Sequence, residues 1–199
     1  VVTAYLHKQD VGTVYGLDTG FFAHCLTTED ITPEFGLHTQ FFKDVRDVVE
    51  EDLENFDALV YLAAISNDPM GDEFEKPTEE INQIAARRIA KIASKLGTKH
   101  FVFASSCSVY GAADGKQNEN SLLNPLTTYA QSKINTEKEL QSLASQNFKI
   151  TCLRFATACG WSPRLRFDLV LNDFVASAIA TNHIQILSDG SPWRPLIHV

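Results

Sequence analysis

Positive charge is scarce in this sequence: 17 Lys and Arg stand against 25 Asp and Glu, for a net charge of −8. That balance disfavours nucleic acid and anionic membrane as partners, while a local cluster of donors still holds a phosphate-bearing small ligand. Long hydrophobic runs are missing too. Charges interrupt every apolar stretch short of the roughly 18 residues that a membrane span needs. The four cysteines (Cys25, Cys107, Cys152, Cys159) form no CxxC pair and show no metal-type spacing with the six histidines. No metal site is expected, and the thiols read as buried, reduced groups of a cytoplasmic protein. There is no internal repeat, low-complexity tract or Pro/Gly-rich linker. The single methionine is Met70. Residues 1–10 have no signal-peptide architecture and read like the tail of an amphipathic helix. The chain stops as abruptly at Ile197-His198-Val199, so a piece of a longer protein is expected.

With 199 residues, 44% of them hydrophobic, there is enough chain for one domain, or one domain and part of another. What alternates is element type. Residues 13–18 are a short β-rich run ending in Asp18, and residues 39–42 are a second. Residues 58–64 are almost continuously apolar, the mark of a strand covered on both faces. Between residues 78 and 96, Ile81, Ile84, Ala85, Ile89, Ile92 and Ala93 keep helical spacing. Thr78 can cap that helix and Gly97 can end it. Residues 100–104 read as another buried strand, residues 129–144 as a helix and residues 149–153 as a strand. Strands alternating with helices imply right-handed crossovers and a doubly wound parallel α/β sheet of Rossmann-like type. Past Cys159 the pattern changes: residues 168–180 suggest a helix, 183–187 a short strand, and Asp189-Gly190-Ser191-Pro192 a turn. The expected organisation is a domain over residues 1–160, then the start of a second region over 161–199.

Two segments carry candidate chemistry. Tyr129-Ala130-Gln131-Ser132-Lys133 places a phenol and an ammonium at i and i+4 on one helix face. A lysine charge there favours the phenolate, which suits a tyrosine for proton transfer near neutral pH. The spacing alone is weak, since many helices contain it by chance. Upstream, Ser105-Ser106-Cys107-Ser108-Val109-Tyr110-Gly111 leaves the end of a buried strand. Ligands of parallel α/β sheets sit beyond such strand ends. A plain serine-rich turn is the alternative.

The order strand, SSxSVYG, YxxxK resembles the extended short-chain dehydrogenase/reductases of the NAD-dependent sugar-nucleotide epimerase/dehydratase family, particularly UDP-glucose 4-epimerase-like members. Further landmarks agree: Asp18 closing an early strand, Asp44-Val45-Arg46-Asp47, Leu62-Ala63-Ala64, Asn82 in a helix, and Gly190-Ser191-Pro192-Trp193-Arg194-Pro195. The resemblance implies a catalytic set of Ser106, Tyr129 and Lys133, with Ser106 on the reacting sugar oxygen and Tyr129 moving the proton. Lys133 would hold the nicotinamide ribose. It implies NAD contacts from Asp18 to the adenosine ribose, from Asp44 and Val45 to adenine, and from Leu62, Ala63, Ala64, Asn82 and Phe155. Asp18 would favour NAD over NADP by repelling a 2′-phosphate; a strand-end turn cap is its plain alternative. On the nucleotide-sugar substrate the resemblance places Ser106, Ser108, Asn172 and Arg194, the last pairing its planar fork with the diphosphate. It also implies a homodimer.

The family's first strand and glycine-rich turn are expected to precede Val1, and most of its substrate domain to follow Val199. The 4,6-dehydratases of the family carry an Asp-Glu pair where this chain has Cys107 and Ser108. Neither has comparable acid–base chemistry near neutral pH. The expected activity is therefore NAD-dependent epimerisation of a nucleotide-linked sugar through a transient 4-keto intermediate. A 4,6-dehydratase, a keto-sugar reductase and a non-catalytic nucleotide-binding fragment are the alternatives.

Overall fold

The structure is a computed structural model and describes residues 1–27, 32, 34–66, 68–191 and 193–199. In chain order the elements are α1 (Val2–Lys8), β1 (Tyr15–Asp18), β2 (Thr39–Phe42), β3 (Ala58–Tyr61), α2 (Asp68–Glu73) and α3 (Glu75–Glu79). A π-helical stretch (Glu80–Ala85) leads into α4 (Ala86–Lys95) and β4 (His100–Ser106). Then come α5 (Thr128–Gln141), β5 (Lys149–Phe155), β6 (Thr157–Cys159), α6 (Val170–Thr181) and β7 (Leu196–His198). The chain forms two compact units, one of Val1–Phe42 with Ala156–Val199 and one of Lys43–Phe155.

In the first unit β1 pairs in parallel with β2, and β6 with β7. The second unit holds a parallel sheet in the order β3-β4-β5. Every strand pairing among the described residues is parallel, which gives an α/β, Rossmann-like fold.

The order β3-β4-β5 advances in one direction, so right-handed crossovers set both connecting helices on the same face. That face holds the core of the unit. Tyr61, Phe101 and Phe103 are buried, as are Ala86, Ala90 and Ala93 of α4 and Ala130, Ile134 and Leu140 of α5. α4 and α5 pack against each other, and α5 packs on β4 and β5. Residues 58–64 were expected to be covered on both sides. Instead Val60 and Leu62 are exposed, as are Leu153 and Phe155, because neither crossover of this unit runs over that face.

Other expectations need correction. The sheet segments were expected to join in one sheet, but β1 pairs with β2 and not with β3–β5. Thr78 does not cap a helix; it is buried inside α3, which begins after Phe74. Pro77 permits this, because a first-turn residue needs no donor N–H. Gly97, at φ +87°, follows the end of α4, as expected. Residues 183–187 form no strand; β6 and β7 supply the late pairing instead. Asp189 accepts from the Ser191 amide at 2.9 Å, which closes the expected turn over its described part; Pro192 lies outside the described residues. Cys25 is exposed, against the expectation of burial, and all four cysteines are free.

Candidate active site

Ser106 is the last residue of β4 and caps the 3-10 turn Cys107–Tyr110, its hydroxyl accepting from the Ser108 amide at 3.1 Å. It also donates to the Ser108 hydroxyl at 3.1 Å. The turn ends at Gly111, with φ +61°. A Cβ there would meet the Asn124 carbonyl oxygen at 1.9 Å, so only glycine fits. Phe155 stands opposite Ser106 in the β4–β5 register and is 40% exposed.

Tyr129 and Lys133 lie on the first turns of α5, whose N-cap Thr127 accepts from the Ala130 amide at 3.2 Å. α5 packs on β4 and on the turn after Ser106. Tyr129 is half-buried, and Gly71 of α2 comes so close that an added Cβ would stand 3.2 Å from the tyrosine Cβ. Lys133 is 2% exposed. Its Nζ donates to the Ala104 carbonyl at 2.8 Å and lies 4.7 Å from the centre of the Phe103 ring and 5.5 Å from that of Tyr129. Burial pulls its pKa down to about 8, against an upward pull from the Glu137 carboxylate.

Asn82 is fully buried and ties three segments together. Its Oδ1 accepts from the Ile65 amide at 2.9 Å, and its Nδ2 donates to the Ile65 carbonyl at 3.0 Å and to Ser132 Oγ at 3.2 Å. Ser132 in turn donates to the Tyr129 carbonyl at 2.7 Å. The side chain thus fixes the loop carrying Leu62, Ala63 and Ala64 relative to the helix carrying Tyr129. Its position in the π-helical stretch aims it at both. Ala63 and Ala64 are half-buried, whereas Leu62 is exposed.

Asp44 caps the 3-10 turn Val45–Asp47. The Arg46 guanidinium, bonded through Nε at 3.1 Å and Nη2 at 2.8 Å, holds this carboxyl below the usual carboxylate range. Arg46 also pairs with Glu80 at 2.9 Å. From α4, Arg88 donates to the carbonyls of Val45, Arg46 and Val48, pinning the loop.

Three expected residues belong to the other unit. Asp18 accepts from the Gly20 amide at 2.7 Å, capping its strand end. Asn172 accepts from the Gly160 amide and donates to the Arg166 carbonyl, both at 3.0 Å, which closes a loop. Arg194 is exposed.

Sequence reasoning passed over the most densely bonded group near Lys133. Glu137, one turn further along α5, is 4% exposed. It is paired with Arg154 at 2.6 Å and accepts from the Ser105 hydroxyl. Its spacing of four residues from Lys133 was the available signal. No described helix is long and apolar enough to cross a membrane, and no cluster of three or more metal-type ligands occurs among the described residues.

The model of the NAD dependent epimerase/dehydratase family matches residues 1–199. That match takes in the chain from its first residue to its last, which corrects the reading of its two ends as breaks in the family pattern. An uncharacterised UDP-glucose epimerase of Bacillus subtilis (strain 168), YtcB, is 33% identical over 151 residues, 74% of this chain and 46% of that protein. Among solved structures, TunA, an NAD-dependent NDP-hexosamine 5,6-dehydratase, matches all of this chain and 64% of its own at 23% identity, with a TM-score of 0.82. MoeE5 in complex with UDP-glucose and NAD matches 99% of this chain and 62% of its own at 24% identity, with a TM-score of 0.80. The chain thus spans under half of the curated relative and under two thirds of these structures.

Proposed function

The chain belongs to the NAD dependent epimerase/dehydratase family, and from that membership we propose that the protein is an NAD-dependent epimerase of a nucleotide-linked sugar. One observation carries the reading. A lysine ammonium has three N–H donors, and among the described residues Lys133 spends one, on Ala104. A cation 2% exposed with donors to spare, beside a tyrosine at i−4, fits a ribose hydroxyl of the cofactor.

In this reading Lys133 holds the nicotinamide ribose, Asp18 the adenosine ribose, and Asp44 and Val45 the adenine. Leu62, Ala63, Ala64 and Phe155 give the cofactor close contact, and Asn82 keeps their loop in place. Bound NAD supplies the hydride acceptor and donor. Tyr129 takes the proton from the sugar hydroxyl and later returns it, while Ser106 and Ser108 donate hydrogen bonds to the same region of the sugar. The nearby positive charge of Lys133 favours the tyrosinate that this role requires. Arg194 and Asn172 serve the substrate side, within residues 161–199. Cys107 and Ser108 stand where a 4,6-dehydratase needs an acid and a base, which supports epimerisation over elimination. A cytoplasmic homodimer, without nucleic acid as partner, completes the reading; the free thiols support the compartment and the net charge of −8 the exclusion of nucleic acid.

The test is calorimetric titration of the chain with NAD, followed by proton NMR of UDP-glucose incubated with protein and NAD. Binding of NAD and the appearance of the 4-epimer are expected. Absence of NAD binding would overturn the reading.

A further inference from the structure

Two neighbouring residues of β4 reach two residues one turn apart on α5. The Ala104 carbonyl accepts from Lys133 at 2.8 Å, and the Ser105 hydroxyl donates to Glu137. Arg154, opposite Ser105 in the β4–β5 register, binds the same carboxylate through Nη2 at 2.6 Å and Nε at 3.0 and 3.2 Å. Its remaining arm donates to the Tyr110 hydroxyl at 3.0 Å and the Glu119 carbonyl at 3.4 Å. Tyr110 closes the turn that begins at Ser106. One chain of bonds therefore runs from the Lys133 helix, through Glu137 and Arg154, to the far end of the Ser106 turn.

We propose that Glu137 and Arg154 are a positioning pair that fixes the Ser106 turn and the Lys133 ammonium relative to each other. The pair touches neither substrate nor cofactor in the proposed site; it acts through the residues that do. This rests on the functional reading above for its purpose, but its physical content is separate.

A salt bridge placed for rigidity alone has no need to stand one turn from a buried cation. Glu137 does, and its negative charge opposes the desolvation of Lys133. Arg154 holds that carboxylate in place from β5, at 2.6 Å. The titratable and charged groups facing this cluster are Tyr129, Lys133 and Glu137 on α5, Cys152 and Arg154 on β5, and Tyr110 on the turn.

The sign of the response separates positioning from simple structural support. If Glu137→Gln merely loosened the core, water would reach Lys133 and its titration midpoint would rise. If Glu137 sustains the ammonium, the midpoint falls. The experiment is NMR titration of the Lys133 side chain in the 199-residue chain labelled with 13C at lysine, assigned by loss of the signal in Lys133→Met. Glu137→Gln should lower the midpoint by about one pH unit. Arg154→Met should shift the amide resonances of residues 107–110, because it removes the bond to the Tyr110 hydroxyl. A midpoint that stays put or rises in Glu137→Gln overturns the inference.

If Glu137→Gln does not fold, by circular dichroism, Glu137→Asp carries the test. It withdraws the charge by one methylene, and the midpoint must still fall; an unmoved or raised midpoint there overturns the inference equally. NAD titration of the unsubstituted chain keeps the two readings apart. Failure to bind NAD defeats the functional reading and leaves the titration result standing. Binding with an unmoved midpoint defeats this inference alone.

Discussion

Lys133 Nζ is held 2.8 Å from the Ala104 carbonyl oxygen, two residues before Ser106 at the carboxyl end of β4. A helix-borne cation is thus seated at the strand end from which the SSxSVYG segment departs. The contact joins two residues that lie 29 positions apart in sequence.

Removing the Tyr129 hydroxyl should separate chemistry from binding. Tyr129→Phe keeps the ring beside Lys133 but takes away the proton-transfer group. The turnover number should drop on the order of 10²–10⁴-fold, with NAD affinity nearly unchanged by calorimetry. Turnover near that of the unsubstituted protein would remove Tyr129 from the mechanism.

Lys133 should leave a pH signature in stability. Its pKa is about 8 when folded and 10.5 in its ordinary setting, so between those values the unfolded chain binds the proton more readily and stability rises with pH. Cys152, pushed from 9.0 up to about 11 by burial, works in the opposite sense over its own window. Comparison with Lys133→Met cancels that background. Urea unfolding should show the lysine protein gaining on the variant by up to about 3 kcal/mol between pH 7 and pH 10.5. A flat difference would mean that the folded lysine titrates normally.

Asn82→Ala should cost about 2–4 kcal/mol, because both main-chain groups of Ile65 and the Ser132 hydroxyl lose a buried partner. Faster hydrogen exchange at the Ile65 amide should accompany the loss. A stability change below about 0.5 kcal/mol would show that water replaces the amide fully.

Asp18→Ala should narrow the preference for NAD over NADP, since the carboxylate would otherwise face a 2′-phosphate. Comparing the dissociation constants of the two cofactors reads this directly. An unchanged ratio would leave Asp18 only its bond to the Gly20 amide.

The sheet strands were readable because their residues are apolar and β-branched or aromatic over short runs, and β3, β4 and β5 lie where those runs are. Residues 183–187 look as strand-like locally, but a strand exists only if a partner edge is offered. The partner of β6 turned out to be β7. The π-helical stretch around Asn82 was equally hidden, since one inserted residue in a helix leaves little trace in hydrophobic spacing. Glu137 and Arg154 drew no reading from the sequence, because burial of a charge depends on a counter-charge from another element.

The sequence by itself determined the local elements, the right-handed parallel α/β class that their alternation dictates, and the Tyr129–Lys133 face, which follows from helical geometry alone. Only the tertiary structure decided that both crossover helices share one face of β3–β5, since crossover hand acts on strand order, and strand order is a long-range pairing. The same packing decided that Lys133 is desolvated, that Asn82 is consumed in tying Ile65 to Ser132, and that Arg154 reaches across to Glu137. Each of these is a meeting of side chains from separate elements, and no local pattern of residues encodes such a meeting.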